Sequence, residues 1–387
     1  GGGRFWHKIT GIVTARPVVS VLLAGGLLLA AASPYLALST GQNFIESLPE
    51  DSPGRHAFSV LNEEFNTGAV TTSIVIDAPS DEDLAVAVSL LVADLEADPV
   101  YGEVAVVASP DGEIVVVEAA TKIDPSTDEA RAAVATLRGE TIPQAFGTLT
   151  DNVHVMGMAA HTVDYVAIID NRMPAIFAFV LGLSFLLLMV VFRSIVVPLK
   201  AIVMNLLSVG AAYGLLVAVF QNGFGADLLG FQQTDVIEAW IPLFLFAVLF
   251  GLSMDYHIFL LSRIKERYDI TGDNDESVAF GLGSTGAIIT GAALIMVAVF
   301  GGFAAGDLVM FQQMGFGLAV AIILDATIVR CVLVPATMKL LGDRNWYFPS
   351  WLSWVPEIHI EGRPDQSAIP ATSADEQAEE EKVLELV

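Results

Sequence analysis

The chain has 387 residues, of which 54% are hydrophobic and only 16% charged, with a mean hydropathy of +0.63 and a formal net charge of −26. An ordinary soluble domain carries roughly 45–50% apolar and about 25% charged residues, and here the excess sits in long uninterrupted runs. That excludes an ordinary cytosolic enzyme, and the acidity argues against nucleic acid as a partner. A single cysteine, Cys331, excludes a disulfide framework and Cys-based metal centres. The six histidines are scattered, so no metal site or cofactor is expected.

In chain order, the first 16 residues are a basic segment. A bilayer core of about 30 Å takes roughly 20 apolar residues per helix, and six stretches qualify: Pro17–Leu38, Met173–Phe192, Pro198–Phe220, Ala239–Leu261, Thr285–Phe303 and about Phe311–Leu341. The first exceeds the roughly 7–15 apolar residues of a signal peptide and lacks a convincing cleavage site, so it reads as a retained helix. Residues 39–172 form a domain between the first two helices. It reads as strand Thr71–Ala78, helix Asp81–Ala97, strand Glu103–Ala108, strand Glu113–Thr121, helix Thr127–Thr148 and strand Val153–Met158. Ser80-Asp81 and Ser126-Thr127 supply helix caps, and Ser109-Pro110-Asp111-Gly112 a turn. The order βαββαβ predicts an α+β, ferredoxin-like sandwich. Its 23 acids against 5 bases read as a solvated surface.

Helices two to six fill residues 173–341. The tail, 342–387, opens on Trp346, Tyr347, Phe348, Trp351 and Trp354, which suit a membrane interface. Beyond about residue 362 it reads as disordered. Arg4, Lys8, Arg16, Arg193, Lys200, Arg263, Lys265, Arg267, Lys339, Arg344, Arg363 and Lys382 fall on one side of the six-helix threading, 12 of the 18 basic residues. The positive-inside bias then places both termini in the cytoplasm and the 39–172 domain outside, as a multi-pass membrane protein.

Ionisable groups within a span cost several kcal/mol and read as functional by default. Asp255 lies in the fourth span, in Gly251-Leu252-Ser253-Met254-Asp255-Tyr256-His257, eight residues before Arg263 and so about 12 Å from the basic end. Asp325 lies in the sixth span, fourteen residues before Lys339, about 21 Å from the same end. Burial raises a carboxylate's pKa towards neutrality, which suits a proton relay. Tyr256 is placed to donate a hydrogen bond to a carboxylate on a facing helix. His257 is a further relay candidate, although the cytoplasmic end is its more natural direction. Arg330 is a possible partner of Asp325, but five residues along an α-helix is about 140° around it, so a direct intrahelical pair is not expected. Asn205, Ser208, Ser284, Thr285 and Thr290 read as interhelical hydrogen-bonders. Gly210 and Gly214, with Gly281, Gly283, Gly286 and Gly291, read as packing surfaces.

The run from Gly251 to Arg263 resembles the fourth-helix signature of the MMPL (mycobacterial membrane protein large) transporters, within the resistance-nodulation-division superfamily. The stretches Pro198–Ser208, Asp325–Arg330 and Val334-Pro335-Ala336 are similar to the same family, and one helix, a domain and five helices is the layout of its half-repeat. The resemblance implies export of lipids or other hydrophobic molecules driven by the proton-motive force, with the proton gradient as energy source and no enzymatic step. It makes Asp255 the proton-binding carboxylate and Tyr256 its hydrogen-bonding partner, paired across to a second half. That half is either part of a longer chain, of which this would be the C-terminal portion, or a second copy in a homodimer. Drug efflux, a sterol-sensing-like receptor and a protein-translocation partner share the architecture. An intramembrane aspartyl protease is disfavoured, because the sequence offers MDY and LDA around the two acids.

Overall fold

The computed structural model describes residues 11–42, 47–49, 51–64, 71–78, 82–123, 125, 127–352 and 354. The Ser80-Asp81 cap, Ser126, the first ten residues and the tail beyond 362 lie outside the described residues. Helix α1 (Pro17–Ala32) starts on a proline, where a missing N–H costs nothing, and a 3₁₀ turn extends the apolar span to Ala37. A two-residue strand β1 (Thr40–Gly41) and helix α2 (Pro53–Glu64) follow.

The next segment alternates strands and helices: β2 (Thr71–Asp77), α3 (Glu82–Ala97), β3 (Tyr101–Ala108), β4 (Ile114–Thr121), α4 (Asp128–Thr136), α5 (Ile142–Phe146) and β5 (Val153–Met156). The four long strands form one antiparallel sheet in the order β3-β4-β2-β5. In β2 the burial alternates along the strand, which puts Ile74 and Ile76 in the core as the period of two demands. They meet Leu84, Leu91 and Leu95 of α3 and Val134 of α4. The Ser109–Gly112 turn forms as the sequence implies, with Gly112 N donating to Ser109 O at 3.0 Å. Thr127 caps α4 by accepting from Ala130 N.

The single helix expected over Thr127–Thr148 is instead broken. Between α4 and α5 the chain widens into a π turn, Leu137–Thr141, followed after α5 by a 3₁₀ stretch. Pro143 supplies the reason: it has no N–H for the carbonyl of Gly139, while Ile142 N reaches back five residues to Leu137 O. Gly157, at φ +127, ends β5 two residues short of the expected strand.

From there the chain is helical. Helix α6 (Met158–Phe192) runs unbroken from the sheet domain into the apolar span, with Pro174 inside it. It is followed by α7 (Val196–Leu216), a short α8 (Ala226–Leu229), strand β6 (Ile237–Glu238), α9 (Trp240–Thr271) and α10 (Asn274–Ala304). Helix α11 (Val309–Leu324) passes through a nine-residue π stretch, Asp325–Leu333, into α12 (Val334–Leu341). Among the described residues six helices are long and apolar enough to cross a membrane. The fifth begins eleven residues before the apolar run at Thr285, because Asp273 caps it through the amides of Asp275 and Glu276.

Two features hold the bundle together. Strand β1 pairs in parallel with β6, so the segment after the first span is tied to the segment before the fourth. Small residues allow close helix approach: a Cβ on Gly214 would fall 2.0 Å from Ala31 O and 2.8 Å from Ala32 Cα. Gly291, by contrast, faces open space and makes no such contact.

Two outcomes follow for thermal unfolding of the purified chain in detergent. Gly214→Ala forces the first and third spans apart and is expected to cost about 1–3 kcal/mol. Tyr101 is 3% exposed and its hydroxyl finds no partner; burial, then the nearby charge of Asp98, pushes its pKa up to about 12. Tyr101→Phe removes an unsatisfied hydroxyl and is expected to stabilise the sheet domain by about 1 kcal/mol.

Candidate functional site

The fourth and sixth spans meet the third at a polar cluster enclosed by apolar side chains. Asp325 is 7% exposed and Arg330 2%, and Arg330 Nη2 donates to Asp325 Oδ2 at 2.7 Å. Arg330 is thus the partner of Asp325, and the expectation against a direct pair within one helix is overturned. The reason is the π stretch that begins at Asp325. An i→i+5 helix has more residues per turn, which brings residue 330 back over residue 325 instead of leaving it about 140° away. The signal was present in the sequence: two opposite charges five residues apart in one span each need a partner at that depth.

Arg330 Nη2 also donates to Ser253 O at 2.9 Å, and the guanidinium carbon lies 4.7 Å from the centroid of the Tyr256 ring. The arginine thus ties the sixth span to the fourth through one backbone carbonyl and one aromatic face. Ser253 Oγ donates to Asn205 Oδ1 at 2.6 Å, and Ser208 Oγ donates to Ala321 O at 3.4 Å. Asn205 and Ser208 were legible only as helix glue and Ser253 only as part of the Gly251–His257 run, yet all three line the same cavity as Asp325, Arg330 and Tyr256. The cavity measures about 20 Å³, room for one water molecule.

The pair is incompletely satisfied. Asp325 Oδ1, Arg330 Nε and Nη1, and Asn205 Nδ2 are buried without hydrogen-bond partners. Arg330 engages the carboxylate through a single N–H rather than as a two-pronged fork. One carboxylate oxygen is left free at the cavity.

The other site residues are placed as follows. Tyr256 stands over Arg330, and its hydroxyl donates to Met296 Sδ at 3.5 Å, so it bonds no carboxylate among the described residues. Asp255 is exposed on the outer face of the bundle: two residues from Ser253 is about 200° around the helix, which turns it away from Asp325. His257 is 1% exposed, and neither ring nitrogen has a partner. It is buried in the bundle rather than turned to the basic end. Among the described residues no group of His, Cys, Asp and Glu is arranged to hold a metal ion.

Six apolar spans around a buried carboxylate–guanidinium pair define a multi-pass membrane protein with ionisable groups inside its helix bundle. Residues 46–364 match the MMPL family, and the chain belongs to it. It is 35% identical over 366 residues to the mycolic acid-containing lipids exporter MmpL11 of Mycolicibacterium smegmatis, taking in 92% of this chain and 38% of that protein. Against the heme uptake protein MmpL11 of Mycobacterium tuberculosis identity is 34% over 363 residues, 91% of this chain and 36% of the relative. The trehalose monomycolate exporter MmpL3 of M. smegmatis is 38% identical over 205 residues, 53% of this chain and 20% of the relative. The chain spans well under half the length of these relatives and corresponds to one half-repeat of them.

Removing one partner of a buried ion pair costs about 3–5 kcal/mol, whereas replacing both by apolar residues is often neutral. Arg330→Met is expected to lose stability in that range, and Arg330→Met with Asp325→Leu to recover most of it. Unfolding titrations of the two variants beside the parent measure both.

Proposed function

We propose that this chain is one half of a proton-driven exporter of lipids or related hydrophobic molecules, a transporter and not an enzyme. The observation that carries the reading is Asp255, a carboxylate within an apolar span that lies exposed on the outer face of the bundle. A charge facing lipid there costs several kcal/mol. A second half, from the same longer chain or from a second copy, would cover it and offer a tyrosine equivalent to Tyr256. Asp255 then takes up and releases the proton, with Asp325 and Arg330 as the charge-bearing pair behind it. Two relatives named as lipid exporters support the substrate class.

In this reading the basic side of the bundle is cytoplasmic, which puts both termini there. The sheet domain is extracytoplasmic, a ferredoxin-like split βαβ sandwich by its strand order and helix placement, and it forms part of the lipid path. Uptake of heme, the role for which the M. tuberculosis relative is named, is the second reading.

The test is comparative envelope lipidomics and heme-dependent growth in a strain lacking the gene, complemented with the intact gene or its Asp255→Asn form. The proposal expects one lipid class to accumulate inside the deletion strain, and only the parent to clear it. Asp255→Asn is expected to insert and fold normally, since a neutral side chain is easier to place in the bilayer. Full clearance by Asp255→Asn would overturn the relay assignment. A heme-growth defect with unchanged lipids would transfer the function to the second reading.

A further inference from the structure

The sheet domain holds a second cavity, separate from the Asp325 cluster, where the sequence reads as continuous helix. The π turn Leu137–Thr141 widens the chain between α4 and α5, and such widenings recur at functional sites. The turn sets Arg138 against the edge of the sheet. Its Nη1 and Nη2 donate to the two carboxylate oxygens of Asp164 in α6 at 2.5 and 2.9 Å. Nη2 also donates to Val155 O at 3.0 Å. Arg138, Asp164, Thr150 and the Val153–Val155 stretch of β5 line a cavity of about 330 Å³, within the range of small-molecule sites.

Among the described residues β5 is the last strand of its sheet, so one of its edges has no neighbouring strand. Val153 N donates to Thr150 O on that edge, and Val155 O is taken there by Arg138. The alternation of an antiparallel strand turns the Val155 N–H and the Val153 C=O the same way. The cavity thus offers a backbone donor and acceptor beside a guanidinium, a carboxylate and the Thr150 hydroxyl, over two buried valines. A further strand does not fit, because Arg138 occupies the carbonyl that would continue the ladder.

Charge decides among small ligands. The two-pronged pair cancels Arg138 against Asp164, and the surrounding domain carries 23 acids against 5 bases, so an anionic group is repelled. A cationic group reaches Asp164 only by displacing Arg138 from it. A neutral polyhydroxyl group fits, since each hydroxyl both donates and accepts, and its C–H faces pack against the valines.

We propose that this cavity binds the sugar head group of the exported lipid, with Arg138, Asp164 and the free edge of β5 holding its hydroxyls. The inference rests on the lipid-export reading above and names the head group. Height agrees with it. Asp164 lies nine residues before Met173, where the apolar run begins, about 13 Å along the unbroken α6. The polar region of a bilayer is only about 5–8 Å deep on each side. A head group held at Asp164 has therefore been raised clear of the membrane surface, the position of a lipid part-way through extraction.

The experiment places the complete transporter, this chain with its second half, in phosphatidylcholine nanodiscs. Saturation-transfer NMR then measures binding of three six-carbon probes that differ in head group: hexyl glucoside, hexyl phosphate and hexyltrimethylammonium. Hexyl glucoside is expected to bind saturably and more tightly than the other two. Thr150→Phe fills the cavity without touching the Arg138–Asp164 pair, and is expected to abolish that binding while unfolding at the parent's temperature. Asp164→Asn is an independent second variant. It is expected to weaken the glucoside about tenfold, the loss of one hydrogen bond to a charged group, and to strengthen hexyl phosphate by uncovering the guanidinium. Glucoside binding unchanged in Thr150→Phe overturns the site, and tighter binding of either charged probe to the parent overturns the head-group assignment. Should no glucoside bind while Asp255→Asn still blocks lipid clearance, only the head-group site falls. Should no lipid accumulate in the deletion strain, the export reading falls and this inference with it.

Discussion

An arginine and an aspartate inside an apolar bundle are tolerable only together, and the geometry of the sixth span exists to bring them together. An α-helical continuation of α11 would leave Arg330 on a different face from Asp325, with each charge desolvated alone at a cost of several kcal/mol. The π stretch removes that conflict and points the guidinium, still carrying two unpaired nitrogens, at the carbonyl of Ser253 and the ring of Tyr256. The fourth span is thereby fixed in register against the sixth. Asn205 carries the same register to the third span through Ser253. Neutralising Asp325 would loosen all three contacts at once, because only the carboxylate balances the arginine.

A second set of contacts joins this cluster to the sheet domain. Thr40 and Gly41 pair with Ile237 and Glu238 just ahead of the fourth span. Gln313 of the sixth span accepts from Glu238 N and donates to Thr234 Oγ1 and Val236 O. From the other side Arg131 of α4 donates to Thr40 O at 2.8 Å, and Thr162 of α6 donates to Gln42 Oε1. A displacement of the fourth span against the sixth therefore cannot leave the β1–β6 joint unchanged, and that joint is held by the sheet domain. The joint is a bistable element in the making only if both sides bias it; its hydrogen bonds at least give them a common member.

Much of this was readable from residue patterns, for reasons that differ by element. The six spans follow from length and hydropathy, because lipid leaves the backbone no alternative to a helix. The alternation in β2 and β4 follows from the period of two, and the Thr127 cap from its hydroxyl chemistry, whereas the Asp273 cap, eleven residues ahead of the apolar run, was missed. What was not legible depended on backbone events without a residue code. The π turns at Leu137 and Asp325 are of this kind; Pro143 hints at the first and the five-residue spacing of Asp325 and Arg330 at the second, but neither sets where the helix widens. Tertiary register was equally hidden. Asn205 and Ser253 carry ordinary roles when read singly and join one cluster only once α7 and α9 are laid side by side.

The two intramembrane acids, which look alike in the sequence, have been given opposite environments by helical phase. Asp325 shares an inward face with Arg330 and is held by a partner within its own span. Asp255 is one residue away from Tyr256 and two from Ser253, and that rotation turns it outward while its neighbours turn in. Breaking the inner pair strands a buried guanidinium, so Asp325 is bound to the alignment of the bundle. Asp255 carries no such structural duty toward Arg330, because its helical phase alone sets it on the outer face.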